Sequence, residues 1–148
     1  MSLLSSIQKT TVIVIDDDVF VCRALKTQLQ ILGFNVLVFQ NADGLLAGEF
    51  PTSDTCLLSD VYLPGMNGIE LCRHLAQAGS RLPTILMTGR DDEQTRRLMR
   101  EANPVANLFK PFDQEALLRA IRKAMRPRLN LRHSVAAKRR KYSSNKFP

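Results

Sequence analysis

Asp60-Val61-Tyr62-Leu63-Pro64-Gly65-Met66-Asn67-Gly68 is the stretch from which the fold of this chain is read. It follows the apolar run Cys56 to Leu58 plus Ser59. A second acidic stretch, Asp16-Asp17-Asp18, follows Val12 to Ile15. Short apolar runs rich in β-branched residues and closed by polar punctuation predict buried parallel strands. Pro64, Gly65 and Gly68 mark a turn, with Asp60 at the exposed end of the strand before it. If both strands share a sheet, several carboxylates converge on one rim. Carboxylates that close cannot all stay ionised without a compensating cation. The cluster is either a hard-metal site or an electrostatic liability, and we read it as a metal site. Asp18 keeps a second reading, because an Asp after a strand also caps the helix that follows.

Working outward, short apolar runs alternate five times with amphipathic stretches. The expected strands are Thr11–Ile15, Asn35–Phe39, Thr55–Ser59, Thr84–Thr88 and Ala106–Leu108. Phe20, Ala24, Leu25, Leu29 and Leu32 carry helical spacing, and Gly33 supplies a stop. Leu45 and Leu46 mark a short second helix ending near Gly48. Ile69, Leu71, Cys72 and Leu75 mark a third, ending before Gly79. Thr95 to Ala102 reads as a polar fourth helix with Leu98 and Met99 inward. Asp113 caps a fifth, with Leu117, Leu118, Ile121 and Met125 on its apolar side and Pro127 at its end. The alternation predicts a doubly wound α/β fold with a parallel sheet of five strands, five helices and ligands at the carboxyl ends of the strands.

At 148 residues the chain suits one domain with a proper core. We divide it into an N-terminal extension (1–9), the α/β domain (10–126) and a basic C-terminal tail (127–148). The net charge of +7 belongs to the tail. Residues 1–125 hold 13 Lys and Arg against 14 Asp and Glu, whereas 126–148 hold eight basic residues and no acid. No apolar run has the length of a membrane span, and Met1 to Thr10 lacks the pattern of a secretory signal. Cys22, Cys56 and Cys72 are scattered and sit within apolar patterns. They read as small buried hydrophobes in a reducing, cytoplasmic setting. His74 and His133 are too isolated to be proposed as ligands.

These residues resemble the receiver domain of bacterial two-component response regulators. The match covers roughly residues 10–126 and rests on Asp16, Asp17, Asp60, Thr88 and Lys110, in order and each at a strand end. Within it, Asp60 opens a D-x-x-L-P-G-M-x-G segment, and Lys110 precedes a cis-type Pro111. The resemblance implies a flavodoxin-like fold with strand order 2-1-3-4-5. It also implies that Asp60 is the phosphoacceptor and that Mg²⁺ is the cofactor. Asp17, one oxygen of Asp60 and the backbone carbonyl of Tyr62 would hold the ion, with Asp16 acting through water; such a set of oxygen donors suits Mg²⁺. Lys110 would set its charge against the phosphoryl oxygens. Thr88 would donate its hydroxyl to one of them, and Gly89 leaves space beside it. Such a protein catalyses its own aspartyl phosphorylation and dephosphorylation but works mainly as a switch.

One departure and two variable positions bear on the resemblance. Many receivers place Phe or Tyr three residues before the lysine, where this chain has Asn107. Phe109 is expected to point elsewhere, so activation should shift the loop after Thr88 without an aromatic rotation. Tyr62 and Arg90, each two residues past a site residue, are large enough to restrict water, which predicts a long-lived phosphoryl group.

The resemblance names a sensor histidine kinase or phosphotransfer protein as donor. Output would pass through the face of the fourth helix, fifth strand and fifth helix, to an effector or a second copy. Three alternatives stand beside this switch. The chain could be the receiver portion of a DNA-binding transcriptional regulator whose effector is missing. Lys138-Arg139-Arg140-Lys141, followed by Tyr142, could contact nucleic acid. A degenerate scaffold is the last alternative, and the complete set of five site residues argues against it.

Overall fold

The computed structural model describes residues 9–126. The extension through residue 8 and the basic tail, with Lys138 to Lys141, lie outside the described residues. The elements run β1 (Thr11–Ile15), α1 (Val19–Ile31), β2 (Asn35–Phe39), α2 (Ala42–Ala47) and β3 (Thr55–Asp60). They continue with α3 (Gly68–Gln77), β4 (Thr84–Thr88), α4 (Glu93–Ala102), β5 (Ala106–Phe109) and α5 (Gln114–Met125). The five strands are all parallel, in the order β2-β1-β3-β4-β5. The doubly wound α/β fold read from the sequence is the fold observed.

The central strands are buried on both faces, which is why they read as continuous apolar runs rather than alternating ones. Val12, Val14, Cys56, Leu58, Ile85, Met87 and Leu108 face one helical layer, where Leu25 and Leu29 of α1 and Leu117 and Ile121 of α5 close over them. On the other face Ile13, Ile15 and Leu57 meet Leu45 of α2 and Leu71 and Leu75 of α3. Val61, Ile69, Leu86 and Met99 form a smaller cluster toward α4. Cys22, Cys56 and Cys72 are buried free thiols. Each helix starts on an Asp or Asn whose side chain accepts from first-turn amides: Asp18, Asn41, Asn67, Asp92 and Asp113. A cap of this kind contributes about 1 kcal/mol.

Several local expectations need correction. Phe20 and Ala24 do not join the buried stripe of α1; the inward residues are Cys22, Leu25 and Leu29, and Phe20 is 77% exposed. The stripe is narrower than the apolar residues suggest, because α1 covers the sheet with only one face. β3 runs one residue further than expected, through Asp60, and β5 runs through Phe109. Leu118 is half-buried, while the small Ala120 and Ala124 take inward positions on α5. Among the described residues, no helix is long and apolar enough to cross a membrane.

Candidate functional site

Parallel register explains why the site residues meet. Ile15 pairs with Ser59, which sets Asp16 beside Asp60 at the carboxyl end of the sheet. Thr88 pairs with Phe109, and the amide of Lys110 donates to the Thr88 carbonyl at 2.7 Å. Asp16, Asp17, Asp60, Thr88 and Lys110 therefore converge on one rim from four strands. The Lys110–Pro111 peptide is cis, as expected.

The three-aspartate stretch divides its work. Asp18 is the N-cap of α1, accepting from the amides of Phe20 at 2.9 Å and Val21 at 3.4 Å. Asp16, Asp17 and Asp60 instead present carboxylate oxygens within 4.8 Å of one another. Asp16 is almost wholly buried, at 1% exposure, and its Oδ1 accepts the Asp18 amide at 2.9 Å. The Cys22 thiol donates to the Asp16 carbonyl at 3.1 Å. Lys110 Nζ lies 2.8 Å from Asp16 Oδ2 and 3.6 Å from Asp60 Oδ1.

Burial pushes the Asp60 carboxyl up to about 6, and the negative charge of Asp16 and Asp17 adds to this while Lys110 opposes it. Burial alone would lower the Lys110 ammonium, but its hydrogen bond to Asp16 and the charges of Asp60 and Asp16 outweigh that and raise it. Three carboxylates thus face one ammonium, a formal charge of −2. A donor set of hard oxygens with that excess charge fits a divalent cation.

Thr88 is wholly buried, and its Oγ1 accepts the Arg90 amide at 3.0 Å. A Cβ added at Gly89 would meet nothing within 4 Å, so the space beside Thr88 is open. Arg90 lays its guanidinium over the Tyr62 ring, 4.4 Å from the centroid.

Asn107 is exposed on β5. Phe109 lies on the same side of the sheet, because residues two apart on a strand share a face. Between them Leu108 points to the α1/α5 layer, while Phe109 packs against the Val61, Leu86 and Met99 cluster. The expectation that Phe109 points elsewhere is corrected. Its ring lies under the Arg96 guanidinium, 5.1 Å away, and Arg96 also pairs with Asp91.

Two residues matter here that sequence reasoning undervalued. Gly68 reads as turn punctuation, but a Cβ there would stand 2.2 Å from the Asp60 carbonyl oxygen. Thr95 reads as an ordinary helix position, yet its hydroxyl meets that of Tyr62 at 2.5 Å. The turn motif carries a signal for Gly68. A contact 33 residues long in sequence leaves none for Thr95.

A parallel sheet of this order with an acidic rim, a facing lysine and a strand-end threonine defines a receiver-type α/β domain. Residues 12–122 match the response regulator receiver domain family, and the chain belongs to that family. It is 32% identical over 119 residues to the response regulator protein TmoT of Ectopseudomonas mendocina, covering 80% of this chain and 54% of that one. It is 34% identical over 118 residues to the transcriptional regulatory protein FixJ of Bradyrhizobium diazoefficiens, covering 80% and 58%. The chain spans about half the length of these relatives. Its fold superimposes on the crystal structure of FixJ-N with a TM-score of 0.73 at 31% identity, covering 80% of this chain and 95% of that one.

Proposed function

We propose that this chain is a phosphoacceptor switch in which Asp60 receives a phosphoryl group from a phosphohistidine donor. The observation that carries this reading is the convergence of Asp16, Asp17 and Asp60 around the Lys110 ammonium. With its pKa near 6, Asp60 is mostly ionised at neutral pH. Its oxygen attacks the phosphorus, a new O–P bond forms, and the P–N bond to the donor imidazole breaks. Such transfers are catalysed chiefly by positioning and charge neutralisation. Asp16, Asp17, Asp60 and the Tyr62 backbone carbonyl are the groups that would hold Mg²⁺, whose charge would offset that of the carboxylates and the phosphoryl oxygens. Lys110 supplies the remaining cation at the same edge. Thr88 would turn its hydroxyl toward a phosphoryl oxygen, and the open space at Gly89 would let the loop follow.

The exposed Phe20 supports a protein donor. It stands in the first turn of α1, directly after the acidic loop, at the head of a groove it shares with Ala24, Thr27 and Ile31. That groove, apolar at Phe20, Ala24 and Ile31 and edged by Arg23, Gln28 and Gln114, suits an amphipathic helix presenting the phosphohistidine. A second reading, the receiver portion of a transcriptional regulator, is supported by the similarity to FixJ. Incubation with Mg²⁺ and acetyl phosphate tests the chemistry. One added phosphoryl group by intact mass, absent in Asp60→Asn, is the expected result. No mass gain in the parent chain refutes the reading.

A further inference from the structure

The Tyr62 side chain is held at two points. Its hydroxyl meets the Thr95 hydroxyl at 2.5 Å, and its ring lies under the Arg90 guanidinium. Tyr62 sits two residues past Asp60 in the loop leaving β3, whereas Thr95 belongs to the first turn of α4. The side chain therefore bridges the rim from the end of β3 to the start of α4, beside the strand ends that carry Asp60 and Thr88.

Thr95 is a fixed post for that bridge. It is wholly buried, and its amide donates to the Asp92 carboxylate at 2.8 Å as part of the α4 cap. The next residue, Arg96, pairs with Asp91 and covers Phe109, which fastens the same turn to β5. In the first turn of a helix no earlier turn offers its carbonyls to a threonine hydroxyl. Here the hydroxyl reaches out of its helix to the loop that follows Asp60.

We propose that Thr95 is a positioning residue for the phosphoryl site. By holding the Tyr62 hydroxyl it keeps the ring beneath Arg90 as a cover, limits the access of water to Asp60, and so sets how long a phosphoryl group there survives. The inference rests on the reading of Asp60 as phosphoacceptor. Loss of the phosphoryl group is hydrolysis: a water oxygen bonds to phosphorus, the Asp60 O–P bond breaks, and inorganic phosphate leaves.

The test follows decay of the phosphorylated full chain by intact mass after acetyl phosphate is removed, with Mg²⁺ present. Thr95→Val keeps the shape and loses the hydroxyl, Tyr62→Phe keeps the ring, and Thr95→Ser keeps the hydroxyl. Thr95→Val and Tyr62→Phe are each expected to shorten the lifetime about threefold to tenfold, the usual weight of one hydrogen bond. Thr95→Ser is expected to stay near the parent, and the Thr95→Val/Tyr62→Phe double variant to decay no faster than either single one. Equal lifetimes throughout, single effects that multiply, or a serine variant as fast as valine would overturn the proposal. A parent chain that takes up no phosphoryl group would instead overturn the Asp60 reading, and this inference with it.

Discussion

Gly68 abuts the backbone of Asp60 so closely that a Cβ on it would stand 2.2 Å from the Asp60 carbonyl oxygen and 3.0 Å from the carbonyl carbon. The Gly68 amide also donates to the Val61 carbonyl at 2.9 Å, so α3 begins pressed against the end of β3. No side chain is available to move aside, because the clash is with main chain. Gly68→Ala is expected to destabilise the fold by about 2–3 kcal/mol, in the range of overpacked sites, and to displace Asp60. Urea unfolding checks the first, and phosphoryl uptake from acetyl phosphate checks the second. Gly89→Ala is the control, with its Cβ in open space and stability expected within about 0.5 kcal/mol of the parent.

The raised Asp60 carboxyl makes stability depend on pH with a definite sign. Its pKa rises from an ordinary 3.8 to about 6 in the fold, so the folded chain holds this proton more tightly than the unfolded one. The favourable contribution is fully present below about pH 4 and is lost as pH climbs through 6. Without divalent cation, Asp60→Asn should therefore be more stable than the parent at pH 7, by up to about 3 kcal/mol. The gap should close toward pH 4. Millimolar Mg²⁺ should narrow it at pH 7 by stabilising the parent more than the variant, which has one carboxylate fewer. Urea midpoints for both chains at pH 4 to 7 settle the matter, and a parent more stable than Asp60→Asn at pH 7 without metal contradicts it.

Lys110 and Asp16 form a buried pair at 2.8 Å, with the lysine side chain 26% exposed and the aspartate 1%. Lys110→Met removes the only ammonium among the described residues that pairs with the cluster. Asp16 is left buried and uncompensated, which should cost roughly 2 kcal/mol after allowing for the partly wet lysine. The same loss makes the carboxylate set more negative. Mg²⁺ should then bind Lys110→Met more tightly than the parent, and a larger rise in melting temperature per millimolar Mg²⁺ would show it. A weaker response to Mg²⁺ would count against the ion sitting among these carboxylates.

The strands and their acidic ends were legible because they depend on local cues, whereas the strand order and the full set of five site residues came only with the resemblance to receiver domains. Runs such as Val12 to Ile15 are too apolar for anything but a strand covered on both faces, and register then brings their acidic ends together. Caps were equally local: Asp18 and Asp113 stand where a helix-starting side chain must. What escaped was decided by contacts across the fold. Phe20 has the apolar character of a core residue, but its angular position on α1 points it away from the sheet. Phe109 follows strand alternation onto the face of Asn107, where the Arg96 guanidinium covers it. Thr95 differs from any polar helix residue only through Tyr62, which no spacing along the chain reveals.

The exposure of Phe20 carries a last prediction. A side chain that touches little in its own fold contributes little to stability, so Phe20→Ala should shift unfolding by no more than about 0.5 kcal/mol. Its place in the first turn of α1, two residues beyond the Asp18 cap, sets it beside the acidic loop, on one path by which a protein donor would reach Asp60. A large apolar side chain that anchors the centre of an interface accounts for about 1.4 kcal/mol or more, and 1.4 kcal/mol is about a factor of ten in rate or affinity. Transfer from a phosphohistidine protein that charges the parent should therefore slow about tenfold in Phe20→Ala. Acetyl phosphate is too small to touch α1 and should charge both chains at the same rate. Timing the two donors side by side separates docking from chemistry. If both slow together, Phe20 acts on the acidic loop beneath it; if neither slows, the donor approaches from another side.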